Sequence, residues 1–299
     1  MKQEKAMQYE IRPLTEEDEA YIGKKIGEYA YRMAPPEPGT PEEEQIIFRA
    51  EDTDGSFAGG CVVNVHEWGR AVLAMLWVEE PHRRTGLGSM LLKAAERAVL
   101  DLGCHYLCLG TMDFMARGFY EKHGYTVFTV NRDYPKGHEG WSLSRRVDRE
   151  MPEYIPMNNS AAARFTIGPG SPEDVKIIEA GFERYNGQFV PDSHDDIPIG
   201  KKLVDQNGNM IAGVIAEVGG WDDCEIDGVW VEEPYRRQGL GSFLLREIER
   251  EAKEKGAYVA FTNGCDWAAG FFFNNGYTVR GELPDYPKGH SAYELEKRI

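Results

Sequence analysis

The stretch WVEEPHRRTGLGS at residues 77–89 occurs a second time as WVEEPYRRQGLGS at residues 230–242, and 11 of the 13 positions are identical. Two shorter repeats follow it: GYTV at 124–127 and 276–279, and DYPKGH at 133–138 and 285–290. The copies are 153 residues apart at the first repeat and 152 at the later two, so we place a one-residue gain or loss near Gly103 and Gly256. A repeat this long exceeds one supersecondary unit, which predicts a duplicated domain whose copies each bury their own core.

The duplication divides the 299-residue chain into a predicted N-terminal domain (residues 1–150), a linker (151–163) and a C-terminal domain (164–299). The linker sequence mixes Pro, Asn, Ser and Ala without the alternation of a strand. Each copy begins with a signal for a capped helix, at Thr15 and at Ser171. Predicted strands, the glycine turn and a helix with apolar residues at helical spacing follow in both copies, and this order predicts an α/β fold.

Charge and cysteine content narrow the classes of function. The chain has 50 acidic and 34 basic residues and a net charge of −16, which argues against binding nucleic-acid phosphates or an anionic membrane. A cationic small molecule or a basic peptide suits this field better. The five cysteines form no CxxC pair and no cluster with histidine, so we expect neither a metal site nor a disulfide framework.

Hydrophobic runs are short throughout the sequence. None approaches the roughly 18 residues of a membrane span, and the opening residues lack the apolar centre of a secretory signal. We therefore expect a cytoplasmic protein with no membrane partner.

The glycine turn lies between a predicted strand and a predicted helix in each copy. Unpaired N–H groups at a helix start attract a diphosphate, and glycines allow its close approach to the backbone. RRTGLGS lacks the Gly-Lys-Ser/Thr ending of a P-loop and the third glycine of the dinucleotide fingerprint. A dinucleotide-dependent enzyme is therefore the least favoured hypothesis.

The spacing Val-(four residues)-Arg-x-x-Gly-x-Gly, from Val78 to Gly88 and from Val231 to Gly241, resembles motif A of the GNAT acyl-CoA N-acyltransferases. ARGFYEKHGY at residues 116–125 is similar to the helix and strand that follow in that superfamily. The resemblance covers nearly the whole chain and is weakest over the first sixty residues of each copy, where the acceptor-specific loops of the family usually lie. It implies two tandem GNAT-like domains, each a mixed, mostly antiparallel sheet flanked by helices.

The resemblance also implies acetyl-CoA as a co-substrate. Backbone N–H groups from Arg84 to Ser89 would hold the diphosphate, and the backbone of Val78 would contact the pantetheine and the acetyl carbonyl. The coenzyme-binding residues expected from it are Trp77, Val78, Arg83, Arg84, Thr85, Gly86, Leu87, Gly88 and Ser89, with Val231, Arg236, Arg237, Gln238, Gly239, Leu240, Gly241 and Ser242 in the second copy. Trp77 lies in a predicted regular element, so it also fits the core.

Two candidate catalytic residues differ between the copies. Tyr120 stands where similar enzymes keep the tyrosine that protonates the leaving thiolate, and the second copy has Phe272 there. Asp227 stands where related sequences often carry an acid, and the first copy has Ala74 there. Neither copy matches the pattern fully. In the first copy, a water chain or a carboxylate from elsewhere, such as Glu28 or Glu67, could take the place of the missing acid.

These observations favour a tandem N-acetyltransferase whose N-terminal half transfers an acetyl group to a primary amine by direct attack. The alternative keeps the fold without the enzyme: a coenzyme A-responsive binding protein on two partly degraded domains. The acceptor is not identified by the sequence; a polyamine, an aminoglycoside-like amine and an N-terminal peptide amine all suit the acidic composition. The sequence is compatible with a monomer and with a homodimer.

Overall fold

A computed structural model describes residues 9–36, 38–40, 43–149 and 163–299. The chain forms two compact units. Unit 1 comprises Met1–Pro35 and Asp192–Ile299, and unit 2 comprises Pro36–Pro191. The predicted domains 1–150 and 164–299 therefore mark the copies of the sequence rather than the compact units. The predicted linker 151–163 lies, apart from Ala163, outside the described residues.

The elements follow one another in both copies in nearly the same order. Unit 1 begins with strand β1 (Glu10–Pro13) and helix α1 (Glu16–Met33). Unit 2 contains β2 (Glu44–Glu51), β3 (Phe57–His66), β4 (Arg70–Val78), α2 (Leu87–Asp101), β5 (Tyr106–Met112), α3 (Arg117–Lys122), β6 (Thr126–Arg132), β7 (Glu139–Arg146), β8 (Thr166–Pro169) and α4 (Pro172–Asn186). Unit 1 continues with β9 (Ile197–Pro198), β10 (Lys201–Val204), β11 (Met210–Gly219), β12 (Asp223–Val231), α5 (Leu240–Glu254), β13 (Val259–Cys265), α6 (Asp266–Phe273), β14 (Thr278–Pro284) and β15 (Ser291–Arg298).

Within each unit the strands pair in a mixed, mostly antiparallel order. In unit 2 the described strands follow the order β8-β2-β3-β4-β5-β7-β6, and in unit 1 the order β1-β10-β11-β12-β13-β15-β14, with β9 also paired to β11. The pairs β4/β5 and β12/β13 are parallel, and the other pairs within these two orders are antiparallel. The predicted α/β class with mostly antiparallel sheets is confirmed.

The first strand and the first helix of each sequence copy belong to the unit built around the other copy. β8 and α4 come from the second copy, and they pair with β2 and pack on β3 and β4 of unit 2. β1 and α1 come from the first copy, and they pair with β10 and pack on β11 and β12 of unit 1. The expectation that each copy would bury its own core is therefore wrong for these elements.

Both exchanged helices begin at the predicted caps. The side chain of Thr15 accepts a hydrogen bond from the N–H of Asp18, and Ser171 accepts one from Asp174 in the same way. Each capping acid also forms an ion pair with a strand of the sheet that receives the helix: Asp174 with Arg49, and Asp18 with Lys202. The cap thus fixes both the helix start and its attachment to the sheet.

The contact surfaces of the two helices are not interchangeable. A Cβ atom added at Gly181 of α4 would lie 2.6 Å from Cε2 of the Trp77 ring. Ile178 and Ile22 are both fully buried and lie seven positions after the caps Ser171 and Thr15. Three positions further on, the residue of α1 that corresponds to Gly181 is Lys25. In unit 1, Ile26 of α1 packs so closely on Gly228 that a Cβ there would collide with its Cδ1. Each helix therefore fits the sheet of the other copy better than its own.

The one-residue difference between the copies lies further along the chain than predicted. Gly103 and Gly256, at φ 86° and 107°, follow α2 and α5 at the 153-residue distance. Asp113 and Asp266 are also 153 residues apart. They correspond because each bonds to the histidine of its own DYPKGH repeat, Asp113 to His138 and Asp266 to His290. Tyr120 and Phe272 are 152 residues apart. They correspond because their carbonyls accept hydrogen bonds from the N–H groups of Tyr125 and Tyr277, each at 3.1 Å. The length difference therefore falls around the start of α3 and α6.

Within the described residues, no helix is long and apolar enough to cross a membrane. The same part of the chain contains no group of three or more His, Cys, Asp or Glu side chains placed to hold a metal ion.

Candidate functional site

A cleft opens in unit 2 where two parallel strands separate. β4 and β5 are paired only from Arg70 to Val72 and from Tyr106 to Cys108. Just beyond, β4 bulges at Ala74, because Val62 opposes Met75 while Val63 opposes Leu73. A bulge turns its strand away from a neighbour. The resulting cavity has a volume of about 1710 Å³.

The two faces of the sheet at this cleft are covered by different helices. Side chains alternate along β3, so that Cys61 and Val63 join the core beneath α2, whereas Val62 packs with Trp77 and Ile178 beneath α4. The cleft between β4 and β5 therefore connects a face covered by α2 with a face covered by α4. Residues of both helices line it.

The glycine turn brings the start of α2 to the cavity. Arg84 and Gly86 adopt left-handed backbone angles, with φ values of 61° and 96°, and Leu87 is the first helical residue. The first N–H to bond back along the chain is that of Met90, to the Gly86 carbonyl at 3.1 Å. The N–H groups at the preceding positions have no acceptor within the helix, which makes them suitable donors to an anion.

Basic side chains predominate among the charged groups that line the cavity. The basic residues are Arg83, Arg84, Lys93, Lys122 and Arg145. The two lining carboxylates are both paired: Glu96 with Arg145, and Glu121 with Arg117, each at 2.8 Å. This balance suits a ligand that carries several phosphate groups, in contrast to the acidic chain as a whole.

Arg83 connects the turn to the β4 strand. Its Nε donates to the carbonyl of Val78 at 3.1 Å, and its guanidinium lies 4.9 Å from the centre of the Trp77 ring. The Val78 carbonyl, predicted to face the pantetheine, thus already accepts one hydrogen bond. In unit 1, Arg236 makes the same contacts with Val231 and Trp230, at 2.9 and 4.6 Å.

Most of the coenzyme-binding residues predicted for the first copy line this cavity, namely Trp77, Val78, Arg83, Arg84, Gly86, Gly88 and Ser89. Thr85 and Leu87 are not among the lining side chains. The hydroxyl of Thr85 donates to the His82 carbonyl at 2.6 Å, which braces the turn, and Leu87 is fully buried in the core. Trp77 is also 7% exposed and packs beneath α4.

Tyr120 lies on α3 and lines the cavity. Its ring packs against Phe119 and Tyr125, and burial raises the pKa of the phenol well above its usual value. Burial also raises the pKa of the neighbouring Cys61 thiol to about 12. The phenol therefore stays protonated at neutral pH, and the same surroundings strongly disfavour a thiolate.

Unit 1 repeats the turn but not the tyrosine. Arg237 and Gly239 have φ values of 62° and 86°, and α5 begins at Leu240. The predicted residues of the second copy, Val231, Arg236, Arg237, Gln238, Gly239, Leu240, Gly241 and Ser242, occupy the corresponding strand, turn and helix start. Phe272 takes the place of Tyr120, and its ring packs on Tyr277 as Tyr120 packs on Tyr125.

Two of the three candidate acids belong to a different unit from Tyr120. Asp227 occupies the bulge of β12, where Ala74 stands on β4, and burial raises the pKa of its carboxyl. It belongs to unit 1, whereas Tyr120 belongs to unit 2. Glu28 lies on α1 in unit 1, paired with Lys25 at 3.2 Å. Glu67 lies in the short turn between β3 and β4 and does not line the cavity.

Among the lining residues that the sequence analysis did not identify, three bear on the shape and chemistry of the cleft. Phe182 and Tyr185 come from α4, which the sequence assigns to the other copy. Thr111 lies at the end of β5 and is 2% exposed, and its hydroxyl has no hydrogen-bond partner among the described residues. No motif marks these positions, because the exchange of helices brings Phe182 and Tyr185 to the cleft and the separation of β4 and β5 opens it beside Thr111.

A buried carboxyl on β12 gives unit 1 a testable pH dependence. Burial raises the pKa of Glu225 to about 7, with Asp223, Asp227 and Glu294 adding to the increase and Arg280 opposing it. A raised pKa means that the stability from protonated Glu225 is present below about pH 4.5 and is lost as the pH rises through 7.

We therefore compare the free energies of unfolding of Glu225→Gln and the parent protein. When the pH is raised from 5 to 8, we expect the difference to change by roughly 1 to 3 kcal/mol in favour of the variant. Urea unfolding at both pH values measures this difference. A difference between the two proteins that stays constant with pH would contradict it.

Comparison with known proteins shows which families and structures this chain resembles. The model of the acetyltransferase (GNAT) family matches residues 10–125 and again residues 172–275. A blasticidin-S acetyltransferase of Streptomyces morookaense is 42% identical over 84 residues, which are 28% of this chain and 61% of that protein, so less than two-thirds of it is matched.

Among solved structures, an acetyltransferase from Bacillus cereus ATCC 14579 is 31% identical, with a TM-score of 0.42 over 45% of this chain and 97% of its own. The ribosomal-protein-S18-alanine N-acetyltransferase from Escherichia coli is 19% identical, with a TM-score of 0.32 over 44% and 79%.

Proposed function

Because the chain belongs to the acetyltransferase (GNAT) family, we propose that unit 2 binds acetyl-CoA in its cleft and transfers the acetyl group to a primary amine. The observation that carries the proposal is the start of α2, where helix N–H groups and basic side chains line one cavity. A diphosphate is the anion that such a helix start holds well. Arg84, Gly86, Gly88 and Ser89 would hold it, and Lys93 and Lys122 line the same cavity, where further phosphates would meet them.

In the proposed reaction, the uncharged amine attacks the acetyl carbon directly. A nitrogen–carbon bond forms and the carbon–sulfur bond breaks, the electron pair leaving with sulfur. The amine loses a proton to water, and the thiolate takes one from the Tyr120 phenol. Burial raises the pKa of the Tyr120 phenol and makes it a weak acid, and the partial exclusion of water at the cleft also disfavours the leaving thiolate relative to its thiol.

For unit 1, we propose coenzyme binding without efficient turnover. Its turn has the same backbone angles as that of unit 2, which favours the binding of a diphosphate. Phe272 has no proton to give to a leaving thiolate. A binding role for this unit is thus compatible with catalysis by unit 2.

The proposal is tested by incubating the full chain with acetyl-CoA and amines while free thiol is measured. Blasticidin S is the first acceptor to test, because the name of the Streptomyces relative points to it. Amine-dependent release of thiol, with the acetylated amine identified by mass spectrometry, is the expected result. Coenzyme binding with no transfer to blasticidin S or to any other amine class would leave only the non-catalytic alternative.

The diphosphate sites predict a matched pair of variants. We expect the parent chain to bind two equivalents of coenzyme A, and Gly86→Glu or Gly239→Glu to abolish one of them each. A glutamate there places negative charge at the helix start and strains a left-handed backbone position. Titration calorimetry on the parent and both variants gives the stoichiometry. One equivalent in the parent chain would exclude one unit, and unchanged binding in both variants would refute the assignment of the turns.

A further inference from the structure

The face of the cleft covered by α4 differs chemically from the face covered by α2. Trp77, Phe182 and Tyr185 line it with aromatic rings, whose centres lie 5.8 Å apart for Trp77 and Phe182 and 6.5 Å apart for Trp77 and Tyr185. We call these three residues the aromatic wall. The lining carboxylates of the cavity, Glu96 and Glu121, are both paired, so this wall offers apolar and π surface rather than negative charge.

The aromatic wall is held rigidly by contacts within unit 2. The Tyr185 hydroxyl donates to the Phe114 carbonyl at 2.7 Å, and the Phe114 ring stacks on Phe189 with centres 4.8 Å apart. The Arg83 guanidinium lies 5.8 Å from the Tyr185 ring as well as over Trp77. Rings fixed in this way present a preformed surface to a ligand, which reduces the entropy lost on binding.

Thr111 adds a polar group to the same cavity. It is 2% exposed and lies on the same face of β5 as Leu107 and Leu109, which join the core beneath α2, so its side chain meets the cavity from the α2 side. A buried hydroxyl without a partner costs free energy, and a ligand that supplies the partner recovers it. At the corresponding position of β13, unit 1 has Gly264, which carries no hydroxyl.

The two sides of the cleft suit two different substrates. The helix start and the basic side chains lie at α2, where a diphosphate fits, which leaves the α4 side to the amine. Resting on the proposed function, we propose that the acceptor carries its amine on a planar unsaturated ring system and that this ring packs on the aromatic wall. Its amine reaches across the cleft toward the α2 side, where the Thr111 hydroxyl hydrogen-bonds to the amine. Helix α4 of the second copy thereby selects the substrate of unit 2.

Planar rings fit this surface for a physical reason. Offset or edge-on packing of rings adds to the gain from apolar burial, and a saturated ring of similar size lacks this contribution. A polyamine or an aminoglycoside needs several unpaired carboxylates, which the described lining residues do not provide. The acidity of the whole chain is therefore a poor guide to this pocket.

The test compares 2-phenylethylamine and tryptamine with 2-cyclohexylethylamine and spermidine, all with the full chain. Binding is measured by calorimetry in the presence of coenzyme A, and transfer by thiol release. We expect the planar amines to bind at least several-fold more tightly than the other two probes. Equal or tighter binding of the cyclohexyl amine or spermidine, or no binding of the planar amines, would overturn the proposed class of acceptor.

Thr111→Val removes the hydroxyl while keeping the shape of the side chain. We expect it to weaken the binding of tryptamine about tenfold, with the dissociation constant of coenzyme A unchanged. Thr129→Val is the matched control, because Thr129 is a buried threonine of unit 2 whose hydroxyl also has no described partner but which does not line the cavity. Unchanged tryptamine binding in Thr111→Val, or weaker coenzyme binding instead, would refute the role of Thr111.

The two proposals can fail separately. Tryptamine that binds in a Thr111-dependent manner without being acetylated would refute the proposed reaction and support the acceptor site. Acetylation of spermidine alone would support the reaction and refute the acceptor site.

Discussion

Tyr120→Phe is expected to lower kcat by roughly 10²- to 10⁴-fold, the range typical of a lost acid–base catalyst, while coenzyme binding stays the same. The substitution removes one oxygen from a side chain that lines the cavity and otherwise packs against Phe119 and Tyr125. The lost interaction forms only as the thiolate leaves, so the dissociation constant should not change. Steady-state kinetics with an accepted amine, together with calorimetry of coenzyme A, measures both quantities.

Two variants serve as controls for this prediction. Phe272→Tyr introduces the phenol at the corresponding position of unit 1 and should change turnover little unless that unit has kept the rest of a site. Asp227→Asn removes the acid at the bulge of β12 and should leave the activity of unit 2 intact. Full activity in Tyr120→Phe, combined with a loss in Asp227→Asn, would move the reaction to unit 1.

A fragment of residues 36–191 is expected to fold cooperatively and to bind coenzyme A, whereas a fragment of residues 1–150 is expected to do neither well. Residues 36–191 contain the whole of unit 2, including β8 and α4. Residues 1–150 lack α4, and their own α1 would bring Lys25 to the Trp77 ring, where Gly181 packs in unit 2. Thermal unfolding followed by near-UV circular dichroism, with calorimetry of coenzyme A, compares the fragments.

A point variant tests the same exchange without truncation effects. Gly181→Lys within residues 36–191 should destabilise the fragment by about 1 to 3 kcal/mol or more, because a side chain there collides with Trp77. Lys176→Gln, on the same helix, is a suitable control because it neither lines the cavity nor belongs to the core beneath α4. Equal folding and binding by residues 1–150 would contradict the exchange of helices.

The family and the glycine turn could be predicted from short local patterns. WVEEP and the following Arg-x-x-Gly-x-Gly specify a strand, a left-handed turn and a helix start within a dozen residues, and the structure has all three in both copies. The Thr15 and Ser171 caps are equally local, since each uses a side chain and an N–H three residues apart. The difference between Tyr120 and Phe272 was visible as soon as the repeats were aligned.

The length difference between the copies shows where alignment alone fails. It was expected near Gly103 and Gly256, but both glycines keep the 153-residue distance, and the change falls around the start of α3 and α6. Sequence identity is low there, and only the equivalence of hydrogen bonds fixes the register. Thr111 was missed for a similar reason, because its burial in the cavity follows from the separation of β4 and β5.

The sequence by itself determined the duplication, the fold class, the family, the turn and the difference between Tyr120 and Phe272, because each depends on residues close together in the chain or on the repeat. Only the tertiary structure decided which sheet each first helix covers, and therefore that Phe182 and Tyr185 of the second copy line the cleft beside Tyr120 of the first. The apolar period of a helix shows that one face is buried but not against what. That choice rests on non-local fits, such as Gly181 on Trp77 and Ile26 on Gly228.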